Sequence, residues 1–439
     1  MLSFIKKMIP GALYRRLQGP YHFALAFLAA VACGFPSKKM TVIGVTGTKG
    51  KTTTSYLIEQ ILSRAGYKAG LATTVSFKIA GREWVNETKQ TMLGRFALQR
   101  LLREMVREGC THAVVETSSE GILQHRQRFV DYDMAVFTNV TPEHLERHGG
   151  FANYRSAKVK LFEQVAKKKE GIGVYNLDDQ NAAYFLAPPV KNKYGFGERA
   201  ADSSSVVGHQ YKISNIQLSP TETKFEMNGE WFEMPLLGGF NVMNAAAAIT
   251  AGLALKIPVA NIADAVRIAK PPPGRFELIP NNRAITIIVD YSYETASFEK
   301  ALEATRLFKP QRVIAIIGGT GGGRDKWRRP ILGELADHYA DIVIVTTDDP
   351  YDEDPEAIMD EILEGAKKTG ARVMGDNLFR IADRREAIRK ALALAKAGDA
   401  ILISGMGAER SITINGKEVP WNDRQAVEEE LGKSDLVVS

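Results

Sequence analysis

Seven consecutive residues of the chain have the types and order needed to hold a nucleotide's phosphates: Gly47-Thr48-Lys49-Gly50-Lys51-Thr52-Thr53. Glycines let backbone N–H groups close around phosphate oxygens, and a helix that starts at such a loop adds its partial positive charge. Lys51 is spaced to reach the β- and γ-phosphates, and the Thr52 hydroxyl to ligate Mg²⁺. The strict phosphate-loop pattern has a glycine where Val45 stands, so the match is one residue short. The run still sits between a β-branched stretch, Thr41–Val45, and a helical pattern. That context predicts binding of ATP or GTP.

Other runs carry groups suited to the same chemistry. Glu116-Thr117-Ser118-Ser119 ends an apolar run, where a carboxylate can face phosphates. Thr138-Asn139 is followed by Glu143-His144-Leu145-Glu146-Arg147-His148. Each has a plain structural reading beside the functional one: Glu116 as an edge carboxylate, His144 as a packing or surface histidine. Lys158, in Tyr154-Arg155-Ser156-Ala157-Lys158, reads from spacing alone as a solvated helix lysine. Asn241 reads as a helix N-cap.

Together these runs resemble the Mur ligases, a family that includes the folylpolyglutamate synthetases. The resemblance spans about residues 40 to 430 and is nearest to the branch that adds the third residue of the peptidoglycan stem peptide. It implies an ADP-forming amide ligase that uses ATP and Mg²⁺ through an acyl phosphate. It places Gly47, Thr48, Lys49, Gly50, Lys51, Thr52 and Thr53 around ATP, with Asn241 and Asn244 at adenine and Asp290 at the ribose. Arg275 reaches the γ-phosphate, and Thr52, Glu116 and His144 surround the metal. Lys158 is typically carbamylated, which completes a catalytic set of Lys51, Glu116, His144, Lys158 and Arg275. Ser118, Ser119 and Arg126 face a muramoyl-peptide-type acceptor; Asp348, Asp349, Gly405 and Glu409 face the incoming amino acid.

The chain also departs from that family. Glu143 replaces an Asp, Glu120 a His after Ser-Ser, Tyr293 the His of Asp-Tyr-Ala-His, and Ala408 the His of Gly-Lys-Gly-His-Glu. Tyr351 stands where Asp-Asn-Pro-Arg has its arginine, which pairs with a donor's distal carboxylate in ligases for meso-diaminopimelate. The loss predicts a donor without that carboxylate, lysine or another basic amino acid, unless Arg324 or Lys326 restores the charge. A folylpolyglutamate-type ligase and a nucleotide-gated scaffold without turnover remain alternatives. Asp348-Asp349-Pro350 with Gly405-x-Gly407-x-Glu409 favours the peptidoglycan branch, and the full phosphate set favours an enzyme.

Positioning these residues requires short strands alternating with helices, which argues for a mostly parallel sheet covered on both faces. Strands are predicted at Thr41–Val45, Ala113–Glu116, Met134–Thr138 and Ile172–Asn176, with antiparallel segments between Phe196 and Pro235. Helices are predicted from about Thr52 to Ala65 and from about Asn241 to Leu255. Lys270–Gly274, with three consecutive prolines, marks a stiff boundary. A second α/β pattern follows, with strands at Ile285–Asp290, Arg312–Gly318, Asp341–Val345, Ala371–Met374 and Ala400–Ser404. The expected fold class is α/β: an N-terminal segment, 1–39; a P-loop central domain, 40–277; and a Rossmann-like C-terminal domain, 278–439.

Composition limits what else the protein does. Of 439 residues, 45% are apolar and 25% charged, ordinary globular usage. The excess of 57 Lys and Arg over 51 Asp and Glu is +6 and dispersed, so nucleic acid is not an expected partner. Two cysteines, Cys33 and Cys110, form neither a disulfide framework nor a cysteine zinc site. A cytoplasmic monomer is expected.

The N-terminus is apolar and basic. Phe23–Cys33 holds no polar residue, with Lys6, Lys7, Arg15 and Arg16 before it and Lys38 and Lys39 after. About 20 apolar residues are needed to span a bilayer, so this run is too short. It reads as a helix packed on the first domain, as a segment (1–35) lying on the inner membrane surface, or as a secretory signal, in that order. The related tripeptide synthetases grip UDP with an N-terminal domain, and 39 residues before Met40 are too few for one. UDP is therefore expected to add little affinity, the acceptor being membrane-associated or held by its sugar-peptide end.

Overall fold

The structure, a computed structural model, describes residues 11–143, 145–200 and 207–438. The β-branched runs of the first half build one eleven-stranded sheet. Its strands are β1 (Thr41–Thr46), β2 (Ala69–Ala72), β3 (Ser76–Ile79), β4 (Arg82–Val85), β5 (His112–Glu116), β6 (Met134–Phe137), β7 (Ile172–Asn176), β8 (Asn192–Gly197), β9 (His209–Leu218), β10 (Thr223–Met227) and β11 (Glu230–Met234). The order is β11-β10-β9-β8-β7-β6-β1-β5-β2-β3-β4. The centre, from β9 across to β2, is parallel, and an antiparallel hairpin extends each edge.

β1 lies between β5 and β6 with apolar cover on both sides, which is why its sequence runs apolar without alternation. On one face, Leu57, Ile58 and Ile61 of the helix Lys51–Arg64 meet the alanines of the helix Gly239–Ala254. On the other, the helices Arg95–Arg107 and Phe151–Val165 contribute Leu98, Leu102, Leu161 and Phe162.

The second half forms a six-stranded sheet from β12 (Glu277–Leu278), β13 (Thr286–Asp290), β14 (Val313–Gly319), β15 (Ile342–Thr347), β16 (Leu378–Arg380) and β17 (Ala400–Ser404). Its order is β12-β13-β17-β14-β15-β16, all parallel except β12 against β13. The strand expected at Ala371–Met374 is not there; β16 begins at Leu378. Arg372 explains the difference. Its guanidinium donates to Asp337 Oδ1 (2.6 Å) and to the carbonyls of Asp337 and Ala340 (2.7 and 2.6 Å), so the segment closes the end of the helix Arg328–Tyr339.

The proline stretch joins the two sheets and is pinned at its start. Lys270 N donates to Gln60 Oε1 (2.8 Å), and Gln60 Nε2 returns a bond to the Lys270 carbonyl (3.1 Å). At its end Gly274 has φ +64°, and a Cβ there would lie 2.1 Å from Ala408 N. Only glycine fits this approach.

The helix Gly11–Cys33 continues through Pro20 and packs on the helix Arg95–Arg107 through Ala26, Ala29, Ala30 and Cys33. No helix among the described residues is long and apolar enough to cross a membrane.

Candidate functional site

The carboxyl ends of β1, β5 and β6 open onto a cleft of about 490 Å³ whose opposite wall comes from the second sheet's half of the chain. The loop after β1 forms its floor. Gly50 has φ +79°, and a Cβ there would lie 2.0 Å from Asn244 Oδ1. Thr138 and Asn139 hold the loop from the side: Thr138 Oγ1 donates to the Lys49 carbonyl (2.7 Å), and Asn139 Oδ1 accepts from Lys49 N (2.9 Å). Lys51 Nζ donates to the Thr48 carbonyl (2.8 Å). Burial lowers the Lys51 pKa, with Glu116 and Glu143 opposing.

Two of the three expected metal-binding residues are in contact. Thr52 Oγ1 donates to Glu116 Oε2 (3.0 Å), which also accepts from Thr74 N and Oγ1 (2.9 and 3.1 Å). These are hard oxygen donors beside a phosphate loop, a set that fits Mg²⁺ completed by phosphate and water. His144 lies outside the described residues. Among the described residues no cluster of three or more His, Cys, Asp or Glu forms a metal cage.

Lys158 is no solvated helix lysine. Its side chain is 1% exposed, its Nζ donates to the Gly47 carbonyl (2.6 Å), and it lies 4.5 Å from the Tyr154 ring. Burial, then the nearby Lys51 charge, pushes its pKa well below the usual lysine value. Both effects disfavour the charged form of the amine.

Asn241 is not an N-cap: Gly238 caps the helix, which starts at Gly239, two residues before the expected position. Asn241 Nδ2 instead donates to the Leu237 carbonyl (2.7 Å), and its Oδ1 accepts from Asn244 Nδ2 (3.0 Å). Both border the cleft. Across it, Arg275 lies 4.1 Å from the Tyr291 ring. Asp290 accepts from Phe276 N (2.6 Å), which fixes the backbone next to that arginine, and burial raises its pKa.

Ser118 and Ser119 line the same cleft; Ser118 Oγ caps the helix Ser119–Leu123 through Gly121 N (3.1 Å). Arg126 stands apart from the cleft lining. It donates to Gln90 Oε1 (2.8 Å), Gln124 Oε1 and the Met92 carbonyl.

Asp348, Asp349, Gly405 and Glu409 gather around a second, smaller pocket with Lys89, Arg324 and Tyr351. Tyr291 and Tyr293 border both pockets, their rings edge to face at 5.0 Å, so the pockets share a wall. Burial pushes the Asp348 carboxyl up to about 7 and also raises Glu409. Arg324 Nη2 donates to Tyr351 OH (3.3 Å), and its guanidinium lies 4.9 Å from that ring. A guanidinium thus stands beside Tyr351 after all, while Lys326 pairs with Glu353 (3.1 Å).

Several contacts here carry no local sequence signal. Lys89, at φ +51°, reaches from the first half of the chain to Asp349 (3.5 Å) and Thr413 Oγ1 (3.2 Å). Lys49 Nζ pairs with Glu143 (3.4 Å) and sits 5.1 Å from the Tyr293 ring. Glu294 is buried against Arg328, and burial lifts its carboxyl to about 6.

Comparisons with known proteins agree on one family. The Mur ligase middle domain matches residues 45–252, and the Mur ligase glutamate ligase domain matches 274–407. A UDP-N-acetylmuramyl-tripeptide synthetase of Roseiflexus sp. (strain RS-1) is 37% identical over 418 residues, covering 91% of this chain and 80% of that protein. A UDP-N-acetylmuramoyl-L-alanyl-D-glutamate--2,6-diaminopimelate ligase of Geobacillus thermodenitrificans (strain NG80-2) is 38% identical over 415 residues, covering 91% and 81%. A solved structure of a ligase of that same name is 30% identical, with a TM-score of 0.59 over 90% of this chain and 79% of the other.

Proposed function

The chain belongs to the Mur ligase family, and on that footing we propose that it is an ATP-dependent, ADP-forming ligase joining an amino acid to a muramoyl-peptide-type acceptor. The observation that carries this reading is the convergence of Lys51, the Thr52–Glu116 pair, Lys158 and Arg275 on one cleft that shares a tyrosine wall with a second, smaller pocket lined by Asp348, Asp349 and Glu409.

In the reaction an acceptor carboxylate oxygen attacks the γ-phosphorus; the new O–P bond forms as the β,γ-bridge breaks and ADP leaves. The donor nitrogen then attacks the acyl phosphate carbonyl, forming C–N, losing a proton and releasing phosphate. Thr52 and Glu116 would hold Mg²⁺, which would supply charge neutralisation at the phosphates. Lys51 and Arg275 share that task from opposite sides of the cleft. The Lys158 amine, whose charged form burial disfavours, would form an N–C bond to CO₂ and lose a proton to solvent, giving a carbamate anion beside the phosphate loop. Asp349 and Glu409 hold the donor, and Ser118 and Ser119, which line the cleft, the acceptor. Alignment of the two reactants supplies the remaining acceleration. Among the described residues one chain furnishes the phosphate, acceptor and donor groups, which supports a monomer as the working unit, and use of ATP supports a cytoplasmic reaction.

The test is ADP and phosphate release by the full chain with UDP-linked muramoyl dipeptide, muramoyl dipeptide alone or a folate as acceptor, each with a panel of amino acids. Release requiring both a muramoyl peptide and an amino acid is expected. Turnover with folate instead would move the protein to the folylpolyglutamate branch; release independent of any acceptor would remove the ligase assignment.

A further inference from the structure

The helix Gly11–Cys33 is amphipathic in the wrong sense for water. Its small residues Ala26, Ala29, Ala30 and Cys33 face the protein, while Tyr21, Phe23, Phe27, Leu28 and Val31 face out, each between 44% and 54% exposed. A helix at a water-facing surface turns its large apolar groups inward. The patch continues past the helix. Phe23 and Phe27 meet the Phe129 ring at 5.2 and 5.4 Å, Phe27 meets Phe35, and Phe96 on the supporting helix is exposed as well. A contiguous face of this kind marks an interaction site.

Its rim is basic. Arg128 lies 5.8 Å from the Phe23 ring, Lys38 lies 5.2 Å from the Phe35 ring, and Lys39 is exposed beside it. The sequence holds no Asp or Glu before Glu59. Nearby carboxylates are engaged: Asp131 pairs with Lys168 (2.7 Å), and Glu120 accepts from Gln124 (3.3 Å). Bulky apolar groups ringed by cations complement an anionic bilayer interface, where each basic group near the surface adds to the attraction.

We propose that this face docks the protein peripherally on an anionic lipid surface, with Phe27, Leu28 and Val31 entering the interfacial layer and Lys38, Lys39 and Arg128 meeting headgroup phosphates. No helix among the described residues is long and apolar enough to cross the bilayer, so the docking proposed is peripheral.

The experiment is sedimentation of the full chain with vesicles of phosphatidylcholine alone or with phosphatidylglycerol. It compares wild type with L28Q/V31Q and with K38E/K39E, and thermal melts check folding. Wild type is expected to pellet with the anionic vesicles, and each pair to weaken that partition about tenfold without shifting the melt. No binding to anionic vesicles, or equal binding by all three proteins, overturns the proposal. So does a wild-type dimer in ultracentrifugation that L28Q/V31Q dissociates, since a second copy then covers the face. Vesicle binding is read without catalysis, so failure of the ligase reading leaves it standing.

Discussion

Lys51 and Lys158 approach the phosphate loop from two sides, yet their substitutions should behave differently. Lys51→Ala removes charge from a partly exposed loop and little packing. Turnover should fall about a hundredfold or more, the scale for losing one transition-state charge partner, with an unchanged melting temperature. Wild-type turnover would remove the phosphate-loop assignment. Lys158 is buried with a depressed pKa. Below the ordinary lysine value of 10.5 the unfolded chain binds a proton that the folded chain refuses, so stability falls as pH drops through that window. Lys158→Met removes this penalty. In bicarbonate-free buffer the variant should melt above wild type at pH 7, with a smaller difference at pH 9.5, while activity is lost. Labelling with ¹³C-bicarbonate should give a carbamate NMR signal in wild type alone. A variant that melts lower at pH 7 would contradict the stated burial cost.

At the scale of elements, two loops decide geometry. Gly274 ends the proline stretch in a left-handed conformation with Ala408 N against it. Gly274→Ala should cost about 1–3 kcal/mol through backbone strain, read by denaturant melts, and raise KM for ATP by misplacing Arg275. An unchanged KM would show that the hinge backbone does not set that arginine. The second loop carries Arg324, on which we propose that donor choice depends. Loss of arginine at position 351 pointed to a basic donor, but Arg324 over Tyr351 returns a guanidinium to that place. Parallel assays with meso-diaminopimelate and lysine should show Arg324→Met losing tenfold or more in kcat/KM for meso-diaminopimelate and less for lysine, since a charge-assisted pair is worth about 1.5–3 kcal/mol. Equal losses on both donors would assign Arg324 to structure instead.

For the whole molecule, the consequence lies in how the halves share one site. Lys89 of the first half borders the pocket built by Asp349, Gly405 and Glu409 of the second, and Lys49 sits against Tyr293. Nucleotide drawn between Lys51 and Arg275 should therefore complete the amino-acid pocket, a coupling that acts equally in both directions. Calorimetry should find the donor bound about tenfold more tightly with a non-hydrolysable ATP analogue and Mg²⁺ present, within the usual range of such couplings. Lys89→Ala should diminish that factor. Donor affinity indifferent to nucleotide would mean that the halves act separately.

Residue order alone carried the phosphate loop and the strands that present it. β1, β5, β6, β7 and β17 were legible because a strand buried on both faces reads as a near-continuous apolar run, and the loop because its glycines and Lys51 are contiguous. The pairs that shape the site were not. Lys89 with Asp349, Arg324 with Tyr351 and Lys49 with Tyr293 are separated by tens to hundreds of residues and meet only when the chain folds. Ala371–Met374 failed as a strand because Arg372 had partners on another helix. Lys158 looked solvated until packing sealed it among Gly47, Tyr154 and Lys51. Sequence determined which groups exist and what local form each run prefers, since both depend on neighbours along the chain. Tertiary structure decided burial, pKa and partnership, because these depend on groups that only folding brings within a few ångströms.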